Sequence, residues 1–261
     1  MCIGIEKQDV LRRMISVADR WARDGKKDTW SKKAKASGYR ARSAFKLKQI
    51  QERFEIIRFG DAVLDVGCHP GGWSQVAVEL VGTKGEVIGV DLQPCQHVDG
   101  VTFITGDVTD FEVQERILDS LEGEAFNSII SDISPHITGK WDIDQSISLS
   151  LVAEVAEFTF PLLSPGGSFV AKLFQGVGIE EFIQLVSKHF TKVKRFSPMS
   201  SRNASSEVYL VCKNYVPWKV KEKNLKQRFE SIMDQRLGEH SISTDVLPTK
   251  STFKVFQKAK D

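Results

Sequence analysis

From Ala62 onward, apolar runs of strand length alternate with stretches whose apolar positions recur every three to four residues. That alternation is the signature of a mostly parallel sheet covered by helices on both faces. It predicts strands over 62–66, 86–90, 101–104, 128–131, 168–173, 193–196 and 208–212, and helices over 73–81, 111–121, 146–163 and 178–189. Only a loop, 197–207, separates the last two strands. A hairpin therefore closes the sheet and places an antiparallel strand near one edge. The expected fold class is α/β, a Rossmann-like sheet of seven strands with helices on both faces. Ahead of the sheet, 37–47 opens a helix carrying Arg40, Arg42 and Lys46 with Phe45 facing inward. The chain is expected to divide into an N-terminal helical extension (1–29), a central domain built on the sheet (30–215) and a basic C-terminal extension (216–261), in which 219–237 can form a charged amphipathic helix.

The first strand ends in Asp65-Val66-Gly67-Cys68-His69-Pro70-Gly71-Gly72-Trp73. Glycines there let the backbone approach a nucleotide-like ligand closely. The third glycine of the dinucleotide fingerprint is missing, however, which disfavours a pyrophosphate cradle and with it a nicotinamide-dependent oxidoreductase. Acids follow the next two strands, Asp91 where a carboxylate can accept hydrogen bonds from ribose hydroxyls and Asp107 where one can meet an adenine amino group. Any one of these acids could equally cap the following helix, but three strand ends in register point to a nucleoside without a diphosphate. S-adenosylmethionine is the commonest cofactor of that kind.

Charge changes the picture further. The net charge of +2 conceals a segregation: residues 1–46 carry 13 basic and 5 acidic side chains, 47–212 carry 12 and 23, and 213–261 carry 11 and 6. A basic arm beside an acidic core suits an enzyme that holds a polyanion and a cationic small molecule together. The strip Lys32, Lys33, Lys35, Arg40 and Arg42 is the candidate contact to RNA phosphates. Cys2, Cys68, Cys95 and Cys212 show no C-x-x-C spacing, so neither a zinc site nor a disulfide framework is expected. No apolar run approaches the roughly twenty residues that a membrane span needs. The expectation is a cytoplasmic monomer with no membrane partner and no metal.

The remaining strand ends supply reactive groups. Ser131-Asp132-Ile133-Ser134-Pro135 offers Asp132, and Phe169-Val170-Ala171-Lys172-Leu173-Phe174 places a lysine inside an apolar strand, which is costly unless the lysine is paired or functional. Glu207 is its candidate partner. Together with Tyr-Arg-Ala-Arg-Ser-Ala-Phe-Lys-Leu at 39–47, Pro-Gly-Gly-Trp-Ser-Gln at 70–75, Lys-Leu-Phe-Gln-Gly at 172–176, and Ser-Ser-Arg before Ser-Ser-Glu-Val-Tyr, these segments closely resemble the FtsJ family of ribose 2′-O-methyltransferases. The likeness runs from about Trp30 to Tyr215.

The resemblance implies a Rossmann-like, S-adenosylmethionine-dependent methyltransferase fold and a catalytic tetrad of Lys46, Asp132, Lys172 and Glu207. It also implies cofactor contacts at Gly67, Gly71, Trp73, Asp91, Asp107 and Asp132. Lys172 is the candidate base, since a lysine accepts a proton only where burial or another cation disfavours its ammonium form. The family's substrates make RNA the expected partner. The motifs are most like those of members that methylate a uridine of large-subunit ribosomal RNA, with the tRNA anticodon loop as the alternative substrate and a non-catalytic ribosome-assembly factor as the alternative role. His69, where small residues are more usual in the family, is expected to be a tolerated loop residue.

Overall fold

Seven strands form one sheet in the order β3-β2-β1-β4-β5-β7-β6. The structure is a computed structural model and describes residues 29–120, 123–135, 138–201, 207–219 and 224–240. Its elements are α1 (Thr29–Ala36), α2 (Ala44–Phe54), β1 (Ala62–Val66), α3 (Gly72–Val81), β2 (Glu86–Asp91), β3 (Val101–Thr105), α4 (Phe111–Ser120), β4 (Phe126–Ser131), α5 (Trp141–Thr159), β5 (Leu163–Phe174), α6 (Ile179–Ser187), β6 (Phe190–Phe196), β7 (Glu207–Tyr215) and α7 (Leu225–His240). Strands β1 to β5 pair in parallel, while β7 runs antiparallel between β5 and β6. The expected α/β class, seven strands and closing hairpin are all present.

Strand residues are apolar on both sides because both sheet faces are covered, and side chains alternate between the two with period two. Leu64, Val66, Ile88, Ile129 and Phe169 pack with α4, α5, α6 and α7. Val63, Val87, Ile130, Val170, Tyr209 and Val211 pack with α1, α2 and α3. The second of these faces carries the chemistry described below.

The largest departures from the sequence expectation are at three elements. Helix α2 begins only at Ala44, so Arg40 and Arg42 lie in the segment ahead of it. The reason is tertiary: the Gln75 amide donates to the Gly38 carbonyl and accepts from the Arg40 N–H, holding this segment against α3. Helix α5 starts at Trp141 and stops at Thr159, with Pro161 in the 3₁₀ turn that follows, where its missing N–H cannot continue an α-helix. Strand β5 starts at Leu163, ahead of the Pro165-Gly166-Gly167 stretch expected to be a loop; Leu163 pairs with Phe126 across a register shift.

The part of the C-terminal segment that the structure describes is packed onto the domain. Leu225 and Phe229 are buried, and the Phe229 ring meets Phe182 edge to face at 5.7 Å. Helix α7 runs antiparallel to α5: Lys226 pairs with Glu154 at 2.9 Å and its N–H binds Glu157, while Met233, two turns later, abuts Gly178 and Leu149. The N-terminal extension expected over 1–29 lies almost wholly outside the described residues. Among those described, no helix is long and apolar enough to cross a membrane.

Candidate active site

The sheet order reverses at β1, which has β2 on one side and β4 on the other. In open α/β sheets, that reversal opens a crevice at the strands' C-terminal ends. Gly67 sits in it with φ +77°, where a Cβ would lie 2.8 Å from the Ile133 Cα, so only glycine lets the β1 and β4 loops come this close. Asp91 organises the same crevice: one carboxylate oxygen accepts the His69 N–H at 2.9 Å and the other accepts the Gln93 N–H at 2.8 Å. Asp107 accepts the N–H and hydroxyl of Thr109. Trp73, in the first turn of α3, is buried and donates its indole N–H to the Ser43 carbonyl at 2.8 Å.

Strand period and register bring the reactive side chains together. Lys172 lies opposite Tyr209 across the β5–β7 pair, and Val170 lies opposite Ile130 across β4–β5. Ile130, Val170 and Tyr209 face the α2–α3 side, so Asp132, Lys172 and Glu207, each two residues from one of them, share that face. Lys172 Nζ donates to the Asp132 carbonyl at 2.7 Å and stands 3.2 Å from Asp132 Oδ1. Lys46, brought by α2, pairs with Glu207 Oε2 at 2.8 Å. Lys46 and Lys172 are both almost fully buried, with relative exposures of 4% and 5%.

Tyr209 links the two ion pairs and is the functional candidate that sequence reasoning missed. Its hydroxyl donates to Asp132 Oδ1 at 2.7 Å, its ring lies 5.6 Å from Lys46 Nζ, and the same ring packs on Trp73. Burial, followed by the charge of Asp132, pushes its phenol well above the ordinary tyrosine range, so it remains a donor. A recess of about 290 Å³ where β5 and β6 end and β7 begins is lined by Gln175, Arg195, Phe196, Ser197 and Val208.

Asp65 was read only as the end of the first strand, yet it is fully buried at the centre of this face. Its Oδ2 accepts the Ser74 hydroxyl at 2.6 Å, and its Oδ1 has no hydrogen-bond partner among the described residues. Desolvation, with smaller contributions from Asp132 and Asp91, raises its carboxyl to about 7. The folded protein therefore keeps this proton from about pH 4 to pH 7 while the unfolded chain releases it, so rising pH disfavours folding across that window and the penalty is constant above it. Asp65→Asn removes the titration. Denaturant unfolding should show the variant gaining about 4 kcal/mol relative to wild type between pH 4 and pH 8, from a shift of roughly three pH units. Parallel stability curves would refute the buried acid.

The basic strip is only partly arranged as expected. Lys32, Lys33 and Lys35 are exposed on α1, with Lys33 Nζ over the Trp30 and Phe45 rings at 5.0 and 4.9 Å. Arg42 is half-buried. The Arg40 guanidinium is engaged by the carbonyls of Pro70, Gln96 and His97. Cys68 and Cys95, 27 residues apart, lie with their sulfurs 3.6 Å from each other, a proximity that no spacing rule reveals.

Known proteins are similar to this chain over most of its length. Residues 39–215 match the family model for FtsJ-like methyltransferases. The chain is 41% identical over 220 residues to the ribosomal RNA large subunit methyltransferase E of Methanocaldococcus jannaschii, covering 83% of this chain and 90% of that one. It is 42% identical over 198 residues to the Marinobacter nauticus protein of the same name, covering 76% and 96%. A solved structure described as a ribosomal RNA methyltransferase of Plasmodium falciparum superposes with a TM-score of 0.62 at 27% identity, covering 68% of this chain and 98% of that one. With paired lysines and acids on one sheet face and a glycine loop at the sheet's switch point, the chain belongs to the FtsJ-like methyltransferase family.

Proposed function

We propose that this protein methylates a ribose 2′-hydroxyl of large-subunit ribosomal RNA, with S-adenosylmethionine as the methyl donor. The observation that carries the reading is the pair of buried ion pairs, Lys172–Asp132 and Lys46–Glu207, joined by Tyr209 at the C-terminal end of the sheet.

The crevice suits the donor on its own chemistry. Asp91, Asp107 and Asp132 offer carboxylates to a nucleoside with a cationic arm, and Asp65 adds a buried oxygen without a partner, within electrostatic reach of Asp91 and Asp132. Gly67 and Gly71 would let the loop backbone approach it, while Trp73 fixes the first turn of α3 from below. Bound there, S-adenosylmethionine supplies a methyl group activated as a sulfonium.

The chain's own residues handle the ribose. As the free amine, Lys172 Nζ would take the 2′-hydroxyl proton, and the ammonium so formed is held by the backbone carbonyl and carboxylate of Asp132. Tyr209 and Glu207 hold Asp132 and Lys46 in turn, so neither lysine can swing away. The exposed lysines of α1, with Arg42, are the candidate phosphate contacts.

The test is transfer of labelled methyl from S-adenosylmethionine to separate pools of large ribosomal subunits, free ribosomal RNA and tRNA. Label in large-subunit RNA at a 2′-O-methylated nucleotide is the expected result. Label confined to tRNA overturns the substrate, and no label in any pool overturns the reaction.

A further inference from the structure

The sequence places Arg40 in a run of basic residues aimed at RNA, but its guanidinium points elsewhere. One terminal nitrogen donates to the carbonyls of Pro70 at 3.3 Å and Gln96 at 2.7 Å, and the other donates to His97 at 2.6 Å. Pro70 belongs to the glycine loop after β1, whereas Gln96 and His97 belong to the loop after β2 that follows Asp91. A single planar fork thus bridges the two loops that flank the ribose-side carboxylate. Gly71 leaves space for it, since a Cβ there would lie 2.9 Å from the guanidinium.

Arg40 is itself firmly mounted. Its N–H donates to Gln75 on α3, and the neighbouring Tyr39 donates its hydroxyl to Glu79, also on α3. Besides this fork, the loop after β1 is tied to the end of β2 and the loop beyond it by the Gly67 and Cys68 N–H groups on the Val90 carbonyl, by the His69 N–H on Asp91 and by the contact between Cys68 and Cys95.

We propose that Arg40 is a cofactor-positioning residue, whose fork sets the spacing of the two loops that grip S-adenosylmethionine, and that it does not serve as a phosphate contact. The proposal rests on the cofactor reading above. Lysine cannot replace it: an ammonium keeps the charge but presents its donors from one point and cannot span carbonyls on two loops.

Arg40→Lys separates the two roles because it preserves the electrostatics seen by RNA. Calorimetry without RNA should show S-adenosylmethionine binding about tenfold more weakly in Arg40→Lys and in Arg40→Gln, the size of effect expected for about one charge-assisted hydrogen bond. The KM for S-adenosylmethionine should rise in step, with kcat retained at saturation. Amide exchange should quicken in residues 67–71 and 92–100. RNA affinity of the lysine variant, and its dependence on salt, should stay within about twofold of wild type. Cofactor affinity equal to wild type in both variants overturns the proposal, as does a weakening of RNA binding alone. If wild type itself fails to bind S-adenosylmethionine, the cofactor reading falls and the proposal falls with it.

Discussion

Replacing Lys172 with alanine should lower methyl transfer by about 10²–10⁴-fold, the range over which a positioned proton acceptor contributes to catalysis. S-adenosylmethionine affinity should change by less than about twofold. The expectation follows from where the lysine sits. Its neighbours Ala171 and Leu173 are fully buried on the opposite face, so the side chain has one direction open to it, toward Asp132. Single-turnover transfer to ribosomal RNA and calorimetric titration of the cofactor would measure the two quantities separately. Lys172→Arg sharpens the test, because a guanidinium keeps the charge and can still reach a carboxylate but cannot give up its proton at accessible pH. An arginine variant with near-normal turnover would show that the site needs a cation there, not a base.

Asp132→Ala should be inactive and also destabilised by about 3 kcal/mol. It removes the carboxylate that faces both Lys172 Nζ and the Tyr209 hydroxyl, and side-chain exposures of 7% for Lys172 and 17% for Asp132 leave little water to compensate. Uncompensated buried charge accounts for most of that loss, so the double variant Asp132→Ala/Lys172→Met should recover much of the stability with no recovery of activity. Urea unfolding of wild type, single and double variants makes the comparison. A single variant as stable as wild type would mean that the pair contributes nothing to the fold.

Local signals in the sequence reached some of these residues and not others. The first three strands were legible nearly to the residue, because each is a short apolar run closed by an acid or a glycine. Lys172 stood out because a lysine inside an apolar strand has an obvious cost. Tyr209 looked like any tyrosine in a buried strand: its partner Asp132 is 77 residues away, and the two meet only through the β5–β7 pairing. The engagement of Arg40 was hidden for the same reason, since its acceptors are backbone carbonyls 30, 56 and 57 residues along the chain. The pattern also misled about that segment, where it implied that Arg40 and Arg42 share a helix with Lys46; that helix begins only at Ala44. Asp65 could have been noticed from its parity, as it alternates with Val63 toward the α3 face, but nothing local reveals that one of its oxygens is left without a partner.

The direction of α7 has a practical side. Strand β7 carries the chain away from the catalytic rim, from Glu207 beside Phe174 to Lys213 beside Ser168, and α7 then climbs back along α5 from Glu154 to Gly178. The helix thus leads back toward the end of the sheet at which β5 finishes. On the function proposed above, a purification handle or fluorophore attached there would crowd the RNA. The exposed start of β6, at Thr191 and Lys192 by the opposite end of the sheet, offers quieter places for attachment.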